Sequence, residues 1–571
     1  MLERFRFALP EVLPVLPLGN HVDVKMALFF EQAVKTAFQN YPKSTVKPLH
    51  YGTAGIRDKG EILGSCMFRM GILAALRSKY KKAIVGVMIT ASHNPEDDNG
   101  VKLIDPMGEM METDWEILAT ELANAADSSL ESVLDRIVAA TNINLQEPSN
   151  VYLAYDTRVS SPQLAEAVSD GIKSIGGVVR TFGHLTTPQL HYIIRCSNDP
   201  AYGEPTEEGY FKKLTKAFMQ IRANGSAVRN YVPFIRLDGA NGVGAMKIKM
   251  LVPHLANLLK VELFNDGTEG RLNHMCGADF VKVYQKAPEG IPLDVGVRCL
   301  SFDGDADRVI YFYHDENLVF HLLDGDKIAT LVASYLKELL DAAMLSLNVV
   351  IVQTAYANGS STNYITNVLK LPVKCVPTGV KHLHREAQKA DIGIYFEANG
   401  HGTVLFSEKA QQAIHDLAND SNQYSERQQA AKKLLCTMDL INQTVGDAIS
   451  DMLLVETVLH AKGICGPEWN SLYTDLPNRQ LKVHVANRNI ITTTNAERRC
   501  LSPSDLQPAI DQLVQGCHNG RAFVRPSGTE DIVRVYAEAS SQDAANKLAY
   551  EVGMKVYELA GGIGEKPKLL A

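Results

Sequence analysis

Three carboxylates alternate along the chain at Asp303, Asp305 and Asp307, and Arg308 follows them directly. The apolar residues 299–302 before them predict a short buried strand. Side chains at alternate positions of a turn can converge on one point, and such oxygen ligands suit Mg²⁺. The pattern therefore predicts a site for one magnesium ion, and a solvated acidic turn is the alternative. A calcium-binding EF-hand loop is disfavoured because no glutamate closes the loop.

A second polar turn, residues 90–95, contains Ser92 and His93 and follows a predicted strand at residues 83–88. A serine can carry a phosphoryl group when a metal neutralises the phosphate and a base stands nearby. His93 and Lys102 are the candidates for handling the proton. Taken alone, this turn is as typical of a structural role as of a catalytic one.

A third group of polar residues lies near the C-terminal end of the chain. Its members are Arg525, Pro526, Ser527, Gly528 and Thr529, with Arg534 downstream. Arginine offers planar bidentate donors for phosphate, and hydroxyl and glycine N–H groups add neutral donors. The group predicts a phosphate-binding turn that differs from a Walker loop, whose Gly-Lys-Ser/Thr signature is missing. The alternative is a hairpin turn with one surface arginine.

Three weaker candidates are loops that could contact a ligand. Residues 397–402 read Glu-Ala-Asn-Gly-His-Gly, in which Glu and Asn can bind sugar hydroxyls and the glycines allow close approach of a ligand. The loop at residues 52–57 contains Arg57, and the loop at residues 377–381 contains Thr378 and Gly379. Each loop, taken alone, is more typical of a structural turn.

These motifs follow a repeated pattern of a short apolar strand, a polar turn and a helical stretch. Further strands are predicted at residues 151–155, 234–237, 349–352 and 392–396, and a helix at 162–175. Alternation of strands and helices predicts largely parallel sheets with ligand loops at their carboxyl ends. The last part differs, because strands at 521–525 and 531–538 surround a turn and precede a helix at 541–559. That order predicts a smaller α+β domain.

The composition narrows the class of protein. A chain of 571 residues is too long for one core. A net charge of −8 and a pI of about 6.1 argue against nucleic acid as the main partner. The nine scattered cysteines, without a Cys-x-x-Cys pair, predict a reducing compartment and no zinc site. No signal peptide and no run of about 20 apolar residues is found, so we expect a soluble cytoplasmic protein without membrane contact.

Taken in order, the loops resemble the α-D-phosphohexomutase superfamily over nearly the whole chain. The resemblance rests on Thr-Ala-Ser-His-Asn-Pro at 90–95, Asp-Gly-Asp-Ala-Asp-Arg at 303–308, the glutamate loop at 397–402 and Arg-Pro-Ser-Gly-Thr-Glu at 525–530. It implies three related α/β domains with mixed, largely parallel sheets and a smaller C-terminal α+β domain around a central cleft. The domains expected are residues 1–187, 188–305, 306–445 and 446–571.

The resemblance also implies a role for each candidate residue. The catalytic residues would be Ser92, Lys102, His93 and Arg57. The ligands of one Mg²⁺ ion would be Ser92, Asp303, Asp305 and Asp307. The substrate-binding residues would be Glu397, Ala398, Asn399, His401, Thr378, Gly379, Arg308, Arg525, Pro526, Ser527, Gly528, Thr529 and Arg534.

The activity that the resemblance implies is that of a phosphosugar mutase acting through a phosphorylated Ser92. A hexosamine bisphosphate would be the intermediate and activator, and the partner would be a small sugar phosphate bound by a monomer. Lys102 matches the position of the general base, and its pKa would have to be lowered by nearby cations such as Mg²⁺, Arg57 or Arg308. His93 stays the competing proton handler.

The sugar loop separates the branches of this superfamily. Mutases of glucose, mannose and bacterial glucosamine phosphates usually carry Gly-Glu-x-Ser-Gly-His, whereas residues 396–401 read Phe-Glu-Ala-Asn-Gly-His. The loop resembles the branch that acts on N-acetylglucosamine phosphates, on the route to UDP-N-acetylglucosamine. We hypothesise that Ala398 leaves room for an acetamide and that Asn399 bonds to it. The alternatives are a glucose or mannose phosphate mutase, a phosphatase with Asp303 as nucleophile, and an inactive sugar-phosphate sensor.

Overall fold

The computed structural model of the chain describes residues 23–223, 229–420, 426–527 and 531–569, with side chains from residue 29 onwards. Over these residues the chain forms three α/β sheets, one smaller sheet and a separate hairpin. None of the helices in the described ranges is both long and apolar enough to cross a bilayer.

The first sheet has the strand order β1-β3-β2-β4-β5. Its strands are β1 (Ile56–Lys59), β2 (Val85–Ile89), β3 (Asp98–Ile104), β4 (Asn150–Tyr155) and β5 (Val178–His184). Its helices are α1 (Asp23–Asn40), α2 (Gly64–Lys81), α3 (Thr113–Asn124), α4 (Leu130–Thr141), α5 (Ser161–Ser174) and α6 (Thr187–Asn198). Strands β2, β4 and β5 are parallel, whereas β3 runs antiparallel to both of its neighbours.

Helices α2 and α5 cover the first sheet and pack closely through a pair of glycines. A Cβ on Gly71 would lie 2.2 Å from the carbonyl oxygen of Val168, and one on Gly171 would lie 2.0 Å from that of Phe68. No side chain fits at either position. All five residues of β2 are buried, as expected of a strand covered on both faces.

The second sheet has the order β10-β9-β8-β6-β7. Its strands are β6 (Phe234–Asp238), β7 (Lys260–Phe264), β8 (Cys299–Phe302), β9 (Val309–His314) and β10 (Phe320–Leu323), and its helices are α7 (Glu207–Ala223), α8 (Val243–Leu251) and α9 (Ala278–Tyr284). Strands β8 and β9 pair with each other on either side of the expected domain boundary at 305/306. We therefore propose that the second α/β domain extends through β10, and the other boundaries stay predictions.

The third sheet has the order β12-β11-β13-β14 and combines two parallel pairs with one antiparallel pair. Its strands are β11 (Val349–Gln353), β12 (Val373–Cys375), β13 (Ile392–Phe396) and β14 (Gly402–Phe406). The helices of this part are α10 (Gly325–Ala343), α11 (Gly359–Asn363), α12 (Val380–Ala387), α13 (Glu408–Ala418), α14 (Glu426–Leu440), α15 (Ala448–Lys462) and α16 (Gly466–Asn470).

The C-terminal part is a smaller α+β unit. Its elements are β15 (Asn478–His484), β16 (Thr492–Thr494), β17 (Arg499–Ser502), α17 (Leu506–Gln515), β18 (Arg521–Pro526), β19 (Ile532–Glu538) and α18 (Gln542–Leu559). Strands β15, β19 and β18 form an antiparallel sheet, and β16 and β17 form the separate hairpin. The predicted fold class is confirmed, and each α/β sheet mixes parallel and antiparallel pairs.

A buried ion pair joins the start of β8, the strand that leads to the aspartate turn, to helix α15. Nη2 and Nε of Arg298 donate to the carboxylate of Glu456 over 2.8 and 3.2 Å, and both side chains are almost fully buried. The hydroxyl of Tyr231 donates to the same carboxylate over 2.9 Å. The charges are thus compensated in a place that water does not reach.

We expect Glu456→Ala to lower the free energy of unfolding by about 3–5 kcal/mol, because it leaves Arg298 buried without its partner. Urea denaturation measures the loss. The double variant Arg298→Met with Glu456→Leu should show a clearly smaller decrease in the free energy of unfolding, because no unpaired charge stays buried. Asp341→Ala, which removes a solvent-exposed pair with Lys337, should cost at most about 1 kcal/mol. Equal losses for Glu456→Ala and Asp341→Ala would contradict this account.

Candidate active site

The predicted turns beyond β2, β8 and β13 contact one another, because Ser92 bonds to Asp303 and His401 lies beside Asp307. A cleft opens next to them, and the described residues of its lining include neither Ser92 nor His93. The cavity volume of this cleft is about 190 Å³. The predicted residues that line it are Arg57, Lys102, Asp307, Arg308, Thr378, Gly379, Glu397, His401 and Arg525.

Ser92 lies directly beyond β2 and is fully buried. Its Oγ donates to Oδ2 of Asp303 over 2.6 Å, a contact between turns of the first and second sheets. Its φ is +51°, a left-handed conformation that costs a residue other than glycine about 1–2 kcal/mol. Nδ1 of His93 lies 3.4 Å from the same Oγ.

Three side chains hold the Ser92 backbone in this conformation. Nη2 of Arg158 and Nδ2 of Asn273 donate to its carbonyl over 2.9 and 2.8 Å, and its own N–H donates to Oγ1 of Thr90 over 2.9 Å. Sequence reasoning missed Arg158 and Asn273 as site residues. The sequence contained a signal for Arg158, because Asp156-Thr157-Arg158 directly follows a predicted strand. In the structure, the carboxylate of Asp156 accepts a hydrogen bond from Nε of Arg158.

The aspartate turn beyond β8 brings its three carboxylates together. One oxygen atom from each of Asp303, Asp305 and Asp307 lies within 4.8 Å of the others, and all three residues are buried. Burial, followed by the charges of Asp307 and Asp305, raises the pKa of Asp303 well above its ordinary value. The buried Oδ1 atoms of Asp305 and Asp307 make no hydrogen bond. Unsatisfied hard oxygen donors of this kind fit a divalent cation such as Mg²⁺.

Lys102 projects from β3, the antiparallel strand that follows the serine turn. Its Nζ donates to Oδ2 of Asp305 and of Asp307 over 3.2 and 3.0 Å. Burial lowers the pKa of Lys102, but these two carboxylates outweigh it and raise the pKa above the ordinary value of lysine. The effect of these carboxylates exceeds that of Arg57, so the lowered pKa expected of a general base would need a cation bound to Asp305 and Asp307.

Two arginines surround the carboxylates and act on His93. Nε of Arg308 lies 3.7 Å from Oδ2 of Asp303 and 3.5 Å from Oδ1 of Asp307. The charge of Arg308, then burial and the charge of Arg57, lower the pKa of His93 well below its ordinary value. Burial, followed by the charge of Arg308, lowers the pKa of Arg57.

The glutamate loop connects β13 to β14. Glu397 and His401 line the cleft, and Nδ1 of His401 lies 3.4 Å from Oδ1 of Asp307. Asn399 bonds within the loop: its Oδ1 accepts from the N–H of His401 over 3.0 Å and its Nδ2 donates to Glu397 over 3.3 Å. Ala398 and Asn399 are not among the described residues that line the cleft.

The C-terminal unit contributes Arg525 to the lining of the cleft. Arg525 lies on β18, and Arg534 is its register partner on β19, so both side chains project from the same face of the sheet. Pro526 ends β18, and the N–H of Ser527 donates to the carbonyl of Ile532 over 2.9 Å. Gly528 and Thr529 lie outside the described residues.

Two further residues of the site were not predicted. The hydroxyl of Thr187 donates to Oδ2 of Asp305 over 2.7 Å, and Thr187 lines the cleft. A usable signal existed, because Thr186 and Gln189 form a capping box that marks the start of α6. The second is Glu497, which accepts a hydrogen bond from Nε of Arg525 over 2.8 Å. This contact could not be predicted from the spacing of the two residues along the sequence.

Comparison with known families gives matches along most of the chain. Residues 201–310 and 324–464 match the family models described as phosphoacetylglucosamine mutase AMG1, domain II and domain III. Residues 71–130 and 128–203 match phosphoglucomutase/phosphomannomutase alpha/beta/alpha domain I, and residues 506–553 match the C-terminal domain of the same group.

Individual proteins match over nearly their whole length. Phosphoacetylglucosamine mutase of Homo sapiens is 53% identical over 537 residues, which cover 93% of this chain and 99% of the human protein. N-acetylphosphoglucosamine mutase of Aspergillus fumigatus, solved with GlcNAc-6P and magnesium, is 45% identical with a TM-score of 0.88, covering 94% of this chain and 99% of its own. An N-acetylglucosamine-phosphate mutase solved in its substrate complex is 47% identical with a TM-score of 0.88, covering 92% and 99%. The chain therefore belongs to the phosphoacetylglucosamine mutase family of the α-D-phosphohexomutase superfamily.

Proposed function

We propose that this chain interconverts N-acetylglucosamine 6-phosphate and N-acetylglucosamine 1-phosphate on the route to UDP-N-acetylglucosamine. The observation that carries the proposal is the 2.6 Å hydrogen bond from Ser92 Oγ to Asp303, which joins a buried serine to a carboxylate cluster. Arg308 and Arg525 line the same cleft and provide donors for phosphate. Membership of the phosphoacetylglucosamine mutase family supports the choice of an acetylated sugar.

In the proposed cycle, Ser92 carries the phosphoryl group that is exchanged. A free hydroxyl of the sugar phosphate attacks the phosphorus, a new P–O bond to the sugar forms, and the P–Oγ bond to Ser92 breaks. The resulting hexosamine bisphosphate turns around and returns its other phosphoryl group to Ser92. Phosphoryl transfer depends mainly on in-line positioning and charge neutralisation. The bonds from Arg158 and Asn273 serve this need by fixing the Ser92 backbone.

The proposed metal ligands are Asp303, Asp305 and Asp307, together with an oxygen on Ser92. When bound, one Mg²⁺ ion would neutralise charge on the phosphoryl oxygens during transfer. Thr187 orients Asp305 by donating to its Oδ2, which leaves the Oδ1 atom for the cation. Cation binding would also offset the repulsion among the three carboxylates.

We propose Lys102 as the general base that takes the proton of the attacking hydroxyl, with His93 as the alternative. Lys102 lines the cleft and contacts two carboxylates of the proposed metal site. To accept a proton it must first be neutral, so it depends on Asp305 and Asp307 being engaged by the cation. Nδ1 of His93 lies 3.4 Å from Ser92 Oγ, and the charges of Arg308 and Arg57 lower the pKa of His93.

The remaining predicted residues have proposed binding roles. Arg525, with Ser527, Arg534 and the turn that follows Pro526, would hold the phosphate that does not react. Glu397 would accept from sugar hydroxyls, and Thr378 and Gly379 would donate from the opposite side.

We propose that the protein works as a monomer, because all residues of the proposed site come from one chain. A cytoplasmic location is also proposed, and it is supported by the nine cysteines, which are all free thiols.

The proposed substrate is tested by a coupled assay that compares N-acetylglucosamine, glucose and mannose phosphates at equal concentrations. We expect kcat/KM for N-acetylglucosamine 6-phosphate to exceed the other two values by at least about tenfold, a difference of about 1.4 kcal/mol in transition-state binding. A higher value for glucose or mannose phosphate would favour a phosphoglucomutase or phosphomannomutase. Net release of inorganic phosphate would favour a phosphatase.

We expect Ser92→Ala to reduce kcat by at least about a thousandfold, because it removes the atom that carries the phosphoryl group. Mass spectrometry should find phosphate on the peptide with Ser92 after incubation with the hexosamine bisphosphate. Ser132→Ala, which removes an exposed hydroxyl from helix α4, is the matched control and should keep wild-type activity. Near-normal turnover by Ser92→Ala would reject the phosphoserine carrier.

We expect chelation with EDTA to reduce activity by at least about a hundredfold and added Mg²⁺ to restore it, because the buried carboxylates need a cation. Asp305→Asn should weaken Mg²⁺ binding, measured by calorimetry, by at least about tenfold. Asp315→Asn changes a half-buried carboxylate that bonds to His321 and should leave Mg²⁺ binding unaltered. Full activity in EDTA would contradict a metal site here.

A further inference from the structure

A hairpin of the C-terminal unit carries a glutamate that contacts two different walls of the cleft. Oε1 of Glu497 accepts from Nε of Arg525 over 2.8 Å. Oε2 accepts from both the backbone N–H and the hydroxyl of Thr378, over 2.8 and 2.5 Å. The carboxylate thus joins β18 of the C-terminal unit to the loop that follows β12 of the third sheet.

The carboxylate lies behind the wall of the cleft. Thr378 and Arg525 both line the cleft. Glu497 is not among the described residues that line it. Its side chain is 15% exposed, and each of its oxygen atoms already accepts at least one hydrogen bond. Its position is that of a support for the two side chains that face the ligand.

The turn that presents Glu497 has a fixed and costly backbone. Asn495, Ala496 and Glu497 all have positive φ values, of 51°, 54° and 65°. Nε and Nη2 of Arg498 hold the turn by donating to the carbonyl and the side chain of Asn495 over 3.0 and 2.7 Å. Strain of this kind persists where surrounding contacts determine the conformation, and it directs the carboxylate towards Thr378 and Arg525.

We infer that Glu497 is a positioning residue that sets Arg525 and Thr378 in one fixed geometry for the phosphate-bearing end of the substrate. The inference deepens the proposed function and rests on it. Because Glu497 binds Nε of Arg525, it fixes the plane of the guanidinium, and bidentate recognition of phosphate depends on that plane. The same carboxylate holds the Thr378 loop at a set distance from Arg525.

The opposite role would be competition, in which Glu497 occupies donors that the substrate phosphate needs. The two roles predict opposite changes in the affinity for the sugar phosphate. Removal of a positioning residue weakens binding of the sugar phosphate, whereas removal of a competitor strengthens it. The location of the carboxylate behind the cleft wall favours positioning.

The experiment measures the Kd of N-acetylglucosamine 6-phosphate by calorimetry in a parent chain carrying Ser92→Ala, so that no turnover occurs. We expect Glu497→Ala to raise the Kd about tenfold, equal to about 1.4 kcal/mol. Glu497→Gln keeps the size and one acceptor for Thr378 but loses the ion pair with Arg525, and it should raise the Kd by a smaller factor. In the enzyme with Ser92 intact, KM should rise while kcat changes little, because the non-reacting phosphate is held throughout.

Two comparisons separate positioning from a structural effect. Added to Arg525→Ala, Glu497→Ala should raise the Kd by a smaller factor than it does alone, because its effect through Arg525 is already lost and only its effect through Thr378 remains. Asp511→Ala removes the partner of Arg499, a residue of the same hairpin as Glu497, and should leave the Kd unaltered. Equal Kd values for the parent and Glu497→Ala, tighter binding by Glu497→Ala, or fully multiplicative effects with Arg525→Ala would each overturn the inference. A parent that binds no sugar phosphate would overturn the proposed function and this inference with it.

Discussion

The repulsion among three buried carboxylates is the constraint on which the rest of the site depends. Charges this close interact strongly away from bulk water, and burying them without compensation is costly. The protein compensates them with Lys102, Arg308 and Arg57, which face the aspartate turn from the first and second sheets. The result is an anionic centre inside a cationic wall. Such an arrangement suits a bound cation at the centre and phosphate groups around it.

The fold meets this constraint by bringing together turns from separate sheets. A single polar turn could not hold both the serine and the carboxylates, because each must be fixed by partners beyond its own loop. Ser92 bonds to Asp303 across 211 positions of the sequence, and Lys102 bonds to Asp307 across 205. The strand ends of α/β sheets are suited to this, since they present loops without disturbing the strands behind them.

The predicted strands that lead into the motifs are present in the structure, whereas the contacts between motifs could not be predicted from the sequence. Strands β8 and β13 begin and end where predicted, because their apolar runs stop abruptly at Asp303 and Glu397. Asn273 was missed because spacing along the chain does not show which loops meet, whereas the position of Arg158 directly after a predicted strand was a signal that could have been used. The contacts of Lys102 with Asp305 and Asp307 could not be predicted for the same reason, since these carboxylates follow a strand of the second sheet.

The position of Asn399 changes the physical account of substrate choice. Its side chain bonds to the backbone of His401 and to the carboxylate of Glu397, and these two residues, rather than Asn399, face the cleft. A direct bond to an acetamide would require the Asn399 side chain to reach the cleft, and Asn399 is not among the described residues that line it. Asn399 can instead act on the sugar by setting the direction of Glu397. Discrimination would then arise from the shape of the whole loop, which suits an intermediate that must be accepted in two orientations.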